Sequence, residues 1–116
     1  MPGPTELPQG TLEMLVLKAL SLEPMHGWGI GNRLDQLSKD VFSVQQGSLY
    51  PALQRMIRKG VIKSEWRTSE NNRRARFYTL TRAGRKQLQR EAADWHRMAA
   101  IMARLLGGGS PTGELP

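Results

Sequence analysis

The sequence contains no cysteine among its 116 residues. This absence excludes disulfide bonds, thiolate catalysis and metal sites built on cysteine, and it is compatible with a reducing cytosol. No apolar run approaches the roughly 20 residues that cross a bilayer, so we expect no membrane partner. The first residues, MPGPTELPQG, lack the basic and then apolar pattern of a signal peptide, which predicts a cytoplasmic protein.

Histidine is scarce as well, because His26 and His96 are the only two. They fall in different predicted elements, without clustered carboxylates beside them. Gly27, Gly29 and Gly31 alternate, whereas a dinucleotide fingerprint requires another spacing and a preceding strand. No Ser/His/Asp arrangement is visible. We therefore expect no enzyme activity, no metal site and no cofactor, and we interpret the three glycines as close-packing points where a helix begins.

Negative charge is missing from one long segment. Residues 54–90 contain twelve lysines or arginines and two glutamates, a charge of +10, whereas the rest of the chain sums to −3. Nine of these twelve are arginines, whose planar guanidinium pairs with phosphate in a bidentate manner. A solvated charged face is the simpler interpretation, but the concentration in one segment favours a polyanionic partner.

The first third of the chain predicts two amphipathic helices after a loose, proline-rich arm at residues 1–8. The first helix has apolar residues at i, i+3, i+4, i+7 and i+8, namely Leu12, Leu15, Val16, Ala19 and Leu20. Met14 and Leu17 lie off that stripe, which suggests a second contact such as another subunit. The second and shorter helix is indicated by Ile30, Leu34 and Leu37.

A third helix is predicted in GSLYPALQRMIRKGVI, with the same spacing of apolar residues at Leu49, Ala52, Leu53, Met56 and Ile57. Gly60 suits a left-handed cap at its end. The sequence leaves two positions possible for the start of this helix. If Ser48 is the N-cap, Pro51 lies harmlessly in the first turn. If Ser43 and Gln46 form a capping box, Pro51 lies inside the helix and removes one backbone hydrogen bond.

After Gly60 the apolar period changes to two, which predicts a β-hairpin. VIKSEWR and RFYTL are the strands, and the polar TSENNRRA is a basic turn between them. Thr81 can cap a final helix at residues 82–106, before a flexible tail at 107–116. The core positions of this helix step by four and three residues, the spacing of a coiled-coil seam, at Leu88, Ala92, Trp95, Ala99, Met102 and Leu106.

This order of elements predicts a mainly α protein with a small β-hairpin, organised as a winged helix-turn-helix domain at residues 9–80. In that fold the helix before the wing enters the DNA major groove. With Leu53 turned to the core, the outward residues of the third helix are Gly47, Ser48, Pro51, Gln54, Arg55, Arg58 and Lys59. We expect Gln54 to pair with adenine and Arg55 with guanine. Phosphates would be held by Arg58, Lys59, Tyr50 and the wing residues Arg73, Arg74 and Arg76.

The last helix is too long to be covered by its own small domain. A second copy would cover the seam, and Met14 and Leu17 would join that interface; the alternative is a helix that folds back on its own domain. Twofold symmetry favours a palindromic DNA site. Trp95 is expected in the dimer core, and with Met98 and Met102 it is also a candidate site for a small hydrophobic effector.

The blocks QGTLEMLVLKAL, MHGWGI, GSLYPALQRMIRKGVI and YTLTRAG, in this order, resemble the PadR family of bacterial transcriptional regulators over residues 7–106. The resemblance implies a winged helix, a C-terminal dimerisation helix and a homodimer that binds operator DNA, usually as a repressor. By the same resemblance, the family's DNA-contacting positions correspond to Ser48, Tyr50 and Pro51 in the third helix and to Arg74 and Arg76 in the wing. Two departures are Trp28, where the family usually has tyrosine, and the single terminal helix of a short subgroup.

The competing hypothesis is a winged-helix module that binds RNA or docks on a protein. An RNA duplex resists entry of a helix into its major groove, and small residues on the third helix therefore favour DNA. A protein-docking module would need an apolar patch on the third helix or the wing, and the sequence predicts none there.

Overall fold

The computed structural model describes residues 5–6, 9–37, 42–43, 46–68 and 70–107. Four helices and five strands follow one another within these residues. Their order is β1 (Thr5–Glu6), α1 (Gln9–Leu22), β2 (Met25–His26), α2 (Gly27–Leu37), β3 (Phe42–Ser43), α3 (Gln46–Arg58), β4 (Ile62–Thr68), β5 (Arg74–Leu80) and α4 (Arg82–Leu105). The predicted fold class, three helices followed by a β-hairpin and a long helix, is confirmed. No helix of these described segments is long and apolar enough to cross a membrane.

The core forms where α1 packs against α2, α3 and the sheet. Its fully buried side chains come from each of these elements and include Val16, Leu17, Ile30, Leu49, Leu53, Met56 and Ile62. Leu17 therefore belongs to the core of its own chain, and its predicted place in a subunit interface is wrong. The reason is that α1 is central in the fold, so that its apolar side chains meet neighbours in more than one direction.

Two of the three glycines at the start of α2, Gly27 and Gly29, are close-packing points as the sequence predicted, whereas a Cβ atom at Gly31 would make only an ordinary contact of 3.6 Å with Leu49. A Cβ atom at Gly27 would lie 2.7 Å from the phenol oxygen of Tyr50, and one at Gly29 would lie 3.1 Å from the His26 ring. Absence of side chains thus allows α3 to approach the beginning of α2. Leu37, assigned to the core by its spacing, is in fact exposed at the end of α2.

Helix α3 begins at Gln46, so Pro51 lies inside the helix. The backbone favours the longer of the two predicted starts, although Val44 and Gln45 lie outside the described residues. Its end is a Schellman motif. Gly60 has φ of 77°, the Gly60 N–H donates to the oxygen of Ile57, and the Val61 N–H donates to that of Met56.

A three-stranded antiparallel sheet carries the wing, in the order β2-β5-β4. The hairpin pairs Ile62 with Leu80 at its base and Thr68 with Arg74 at its tip. Strand β2 was not predicted from the sequence, because two residues between two helices give no periodicity. It also treated residues 1–8 as a loose arm, whereas β1 pairs in parallel with β3.

Helix α4 begins at Arg82, and Thr81 is its N-cap as predicted. The Thr81 hydroxyl accepts a hydrogen bond from the Gly84 N–H. Its first turns pack against α1, with Leu88 against the core. Every residue from Ala93 to Ala100 is exposed around the whole circumference of the helix. The middle of α4 therefore does not fold back on its own domain. The predicted tail lies outside the described residues, except for Gly107.

Candidate nucleic-acid interface

The outer face of α3 is a narrow exposed stripe of Gly47, Pro51, Gln54 and Arg58. Steps of four, three and four residues keep these positions on one side of the helix. Leu53 on the opposite side is completely buried, which fixes the rotation of α3 against the core. The stripe is small at one end and carries an amide and a guanidinium toward the other, a shape that can approach base edges closely.

Tyr50 and Ser48 flank this stripe. Tyr50 is 38% exposed, and its ring packs over Gly27 at the start of α2. The ring is thus partly exposed, while its hydroxyl and the adjacent ring edge lie close to Gly27. Ser48 is partly buried on the other flank.

Arg55 and Lys59 occupy a different position from the one predicted for them. Arg55 Nε lies 3.3 Å from Glu13 Oε2, and Lys59 Nζ lies 3.1 Å from Glu13 Oε1. Both cations are therefore directed toward α1, beside the stripe. We no longer assign Arg55 to base reading, because its guanidinium is held by a carboxylate of the domain. The contact of Glu13 with these two cations was not predicted, because the apolar periodicity of α1 does not distinguish Glu13 from an ordinary surface glutamate.

On the wing, two arginines lie over one tryptophan. The guanidinium carbon of Arg74 lies 5.3 Å from the ring centroid of Trp66, and that of Arg76 lies 5.5 Å from it. Antiparallel pairing of Trp66 with Arg76 puts these side chains on one face of the sheet. Arg76 Nε also donates a hydrogen bond to Ser64 Oγ, at 3.0 Å. Cation–π contacts of this kind restrict a flexible arginine. No role for Trp66 was predicted from the sequence.

A cleft of about 420 Å³ joins the beginning of α3 to the wing. It is lined by aromatic and basic side chains, including Trp28, Tyr50, Arg73, Arg74, Arg76 and Tyr78. Burial raises the pKa of the Tyr78 phenol, and the nearby Arg76 acts in the opposite direction. Tyr50 and the three wing arginines predicted as one interface are therefore brought together in one cleft, and Trp28 joins them.

The two histidines lie in different elements, as the sequence predicted, with His26 in β2 and His96 in α4. His26 Nδ1 accepts a hydrogen bond of 2.9 Å from the Gly29 N–H, which caps α2, and its ring stacks on Trp28. His96 is exposed on α4. Among the described residues, no group of three or more His, Asp or Glu side chains is arranged to hold a metal ion.

The apolar ridge of α4 is exposed in the single chain. Trp95 is 52% exposed and Leu106 76% exposed, and Met98, Met102 and Leu105 are exposed between and beside them. Ala99 is exposed as well, whereas Leu88 and Ala92 nearer the domain, and Met14 on α1, are partly buried. A contiguous ridge of large apolar side chains on a protruding helix is typical of an interaction surface.

These features define a winged helix-turn-helix protein with a basic face on the third helix and the wing. The model of the transcriptional regulator PadR-like family matches residues 16–90. The chain belongs to this family, and it is a transcriptional regulator by family and fold.

Known proteins with similar sequences or structures agree with this assignment. A PadR-like transcriptional regulator from Bacillus cereus has 27% identity and a TM-score of 0.76, with 87% of this chain and 96% of that chain covered. A PadR family regulator from Eggerthella lenta has 29% identity and a TM-score of 0.74, with 87% and 86% covered.

An uncharacterized 37.1 kDa protein of transposon TN4556 from Streptomyces fradiae is 38% identical over 99 residues, or 85% of this chain. The chain spans only 26% of that relative's length.

Proposed function

We propose that this protein is a sequence-specific DNA-binding repressor that acts in the cytoplasm as a homodimer on a palindromic operator. The observation that carries the proposal is the cleft in which Tyr50 of α3 meets Arg73, Arg74 and Arg76 of the wing. A polyanion that follows this surface meets the exposed stripe of α3 and the wing together.

In the proposed complex α3 lies in the major groove. Gly47 and Pro51 permit close approach, while Gln54 and Arg58 reach base edges or the phosphates beside them. Arg58 thereby takes over part of the role that the sequence analysis gave to Arg55. Ser48 and Tyr50 contact the phosphate backbone at the edge of the stripe. Lys59 remains beside α1 with Glu13, at the margin of the interface.

The wing supplies the second contact. Arg73, Arg74 and Arg76 bind phosphates or enter the minor groove, and these contacts set the orientation of the protein without reading sequence. Trp66 keeps two of these guanidinium groups beside each other. Because each phosphate contact releases counterions, affinity for any duplex should fall steeply with salt.

The second copy covers the ridge of α4. Its seam residues are Leu88, Ala92, Trp95, Ala99, Met102 and Leu106, with Met14 at the edge. The exposure of Ala93–Ala100 on all sides supports this pairing, since none of the other residues that the structure describes covers that part of the helix. Trp95, Met98 and Met102 also form the proposed site for a small hydrophobic effector between the subunits. Adaptable methionine side chains around a flat ring suit such a ligand.

The test is binding to the DNA immediately upstream of the protein's own gene, measured by fluorescence anisotropy at about 150 mM salt. We expect at least a thousandfold preference over a random duplex of the same length. An RNA duplex of the same sequence is the second competitor. Equal affinity for all three nucleic acids, or preference for RNA, would contradict operator binding. A reporter fused to the same upstream DNA determines the sign of regulation, and repression is expected.

A further inference from the structure

Glu13 of α1 is a charged side chain inside the domain, at the place where α1 crosses α3. Its exposure is only 9%, and its carboxylate lies between two cations, Arg55 of α3 and Lys59 directly after the end of that helix. Oε2 is 3.3 Å from Arg55 Nε, and Oε1 is 3.1 Å from Lys59 Nζ. One glutamate thus contacts the last turn and the C-terminal end of the helix that carries the DNA-facing stripe.

Burial makes this contact strong. An ionised carboxylate removed from water is costly unless it is paired and hydrogen-bonded, so Glu13 favours the geometry that keeps both cations beside it. Arg55 shares the burial. Its side chain is 34% exposed, and its Nη2 atom is buried without a hydrogen-bond partner in the part of the chain that the structure describes. Releasing Arg55 would therefore leave a buried carboxylate with one cation fewer.

The contact with Glu13 determines which cations at the C-terminal end of α3 lie on the exposed stripe. Arg55, Arg58 and Lys59 are the three cations at its C-terminal end, and only Arg58 lies on the exposed stripe. The other two are directed to α1 by Glu13. A lysine or arginine that is free to swing attracts the phosphates of any duplex, because that attraction does not depend on sequence.

We infer that Glu13 is a specificity-determining positioning residue: it holds Arg55 and Lys59 against α1 and so keeps them from indiscriminate phosphate contacts beside the base-reading stripe. This inference rests on the proposed DNA-binding function. The inference predicts that removal of the Glu13 charge raises the affinity for DNA of random sequence. Removal of a glutamate that only stabilises the fold would raise random-duplex affinity no more than removal of an exposed glutamate charge elsewhere.

The test compares the wild-type protein with Glu13→Gln, which keeps the size of the side chain and removes its charge. Dissociation constants are measured for the upstream fragment and for a random duplex over a range of salt concentrations. Each released cation should steepen the plot of log K against log salt by about 0.9 and raise random-duplex affinity about fivefold at 0.15 M salt. The ratio of specific to random affinity should fall accordingly.

The matched control is Glu23→Gln. It removes the same charge from an exposed ion pair outside α3, in which Glu23 Oε1 lies 3.2 Å from Arg33 Nη2. We expect its salt slope and its affinity ratio to differ from the wild type by much less than those of Glu13→Gln. Equal changes in the two variants would mean that net charge alone is responsible, and would overturn the inference.

Three further variants do not depend on the stability of Glu13→Gln. In the wild-type background Arg55→Ala and Lys59→Ala should each change random-duplex affinity by less than twofold, whereas Arg58→Ala lowers it severalfold. Losses from Arg55→Ala or Lys59→Ala as large as that from Arg58→Ala would show that Glu13 does not withhold these cations. Failure of the wild-type protein to bind any duplex would instead reject the proposed function itself.

Discussion

Gly84 of α4 packs directly against the backbone carbonyl of Val61, at the junction of the long helix and the wing. A Cβ atom on Gly84 would overlap the Val61 oxygen and also meet the Leu80 side chain. The Thr81 N–H donates to the same Val61 oxygen at 3.1 Å, so this carbonyl is fixed by the start of α4. The junction therefore sets the direction in which α4 leaves the DNA-binding domain.

Gly84→Ala should destabilise the protein by about 1–3 kcal/mol, because a backbone atom cannot move aside as a side chain does. Urea unfolding followed by circular dichroism measures this change. Gly10→Ala is the control, since a Cβ atom there has nothing within 4 Å, and its effect should remain below about 1 kcal/mol. Equal stability of the two variants would contradict the close packing.

Gln54→Ala should reduce affinity for the upstream fragment by about 1–3 kcal/mol, because a bidentate contact to a base is lost. Random-duplex affinity should remain unchanged. Arg74→Ala provides the contrast. It should weaken binding to both duplexes alike and reduce the salt slope by about 0.9, since a phosphate contact carries no sequence information. The assignment of reading to α3 and anchoring to the wing fails if both variants lose the same amount on both duplexes.

Trp66→Ala should weaken binding to every duplex by about 1 kcal/mol, roughly fivefold, because Arg74 and Arg76 lose the ring over which they lie. Trp66→Phe keeps an aromatic face and should recover most of the affinity. The measurement is anisotropy titration at fixed salt, together with thermal unfolding to verify that both variants fold. If phenylalanine is no better than alanine, the ring does not position the arginines.

Trp95→Asp should convert the proposed homodimer into monomers, because a charge in the centre of the seam would be buried against the second copy. Sedimentation equilibrium measures the mass directly. His96→Asp introduces the same charge one position away from the seam, and should leave the dimer intact. A wild-type protein that sediments as a monomer, or an unchanged mass for Trp95→Asp, would refute the proposed pairing of α4.

Apolar spacing was sufficient to predict α1, α3 and α4, because each of them has a long amphipathic repeat and α4 has a clear capping residue in Thr81. The wing followed from the change of period after Gly60. By contrast, β2 and the pairing of β1 with β3 involve two residues each, and such short strands exist only because a partner strand passes beside them. Leu17 and Leu37 were misplaced for a related reason, since a helical stripe says which side is apolar but not which neighbours cover it.

The candidate site divides in the same way. The outward positions of Gln54 and Arg58 were identifiable from the sequence, because both lie opposite the buried stripe of α3. The wing arginines were identifiable because they lie in and beside the polar turn of the predicted hairpin. The position of Arg55 was not, since it depends on Glu13, 42 residues earlier in the chain. The contact of Trp66 with two arginines could not be predicted either, because it depends on the register of β4 with β5.

The sequence by itself determined that this chain is a basic winged helix with a long terminal helix, because charge distribution and apolar period are properties of local segments. Tertiary structure alone decided which cations lie beside the outer stripe of α3 and which are held against α1. Pairing between a buried carboxylate and distant cations arises only when α1 and α3 cross, and no local pattern records where two helices meet.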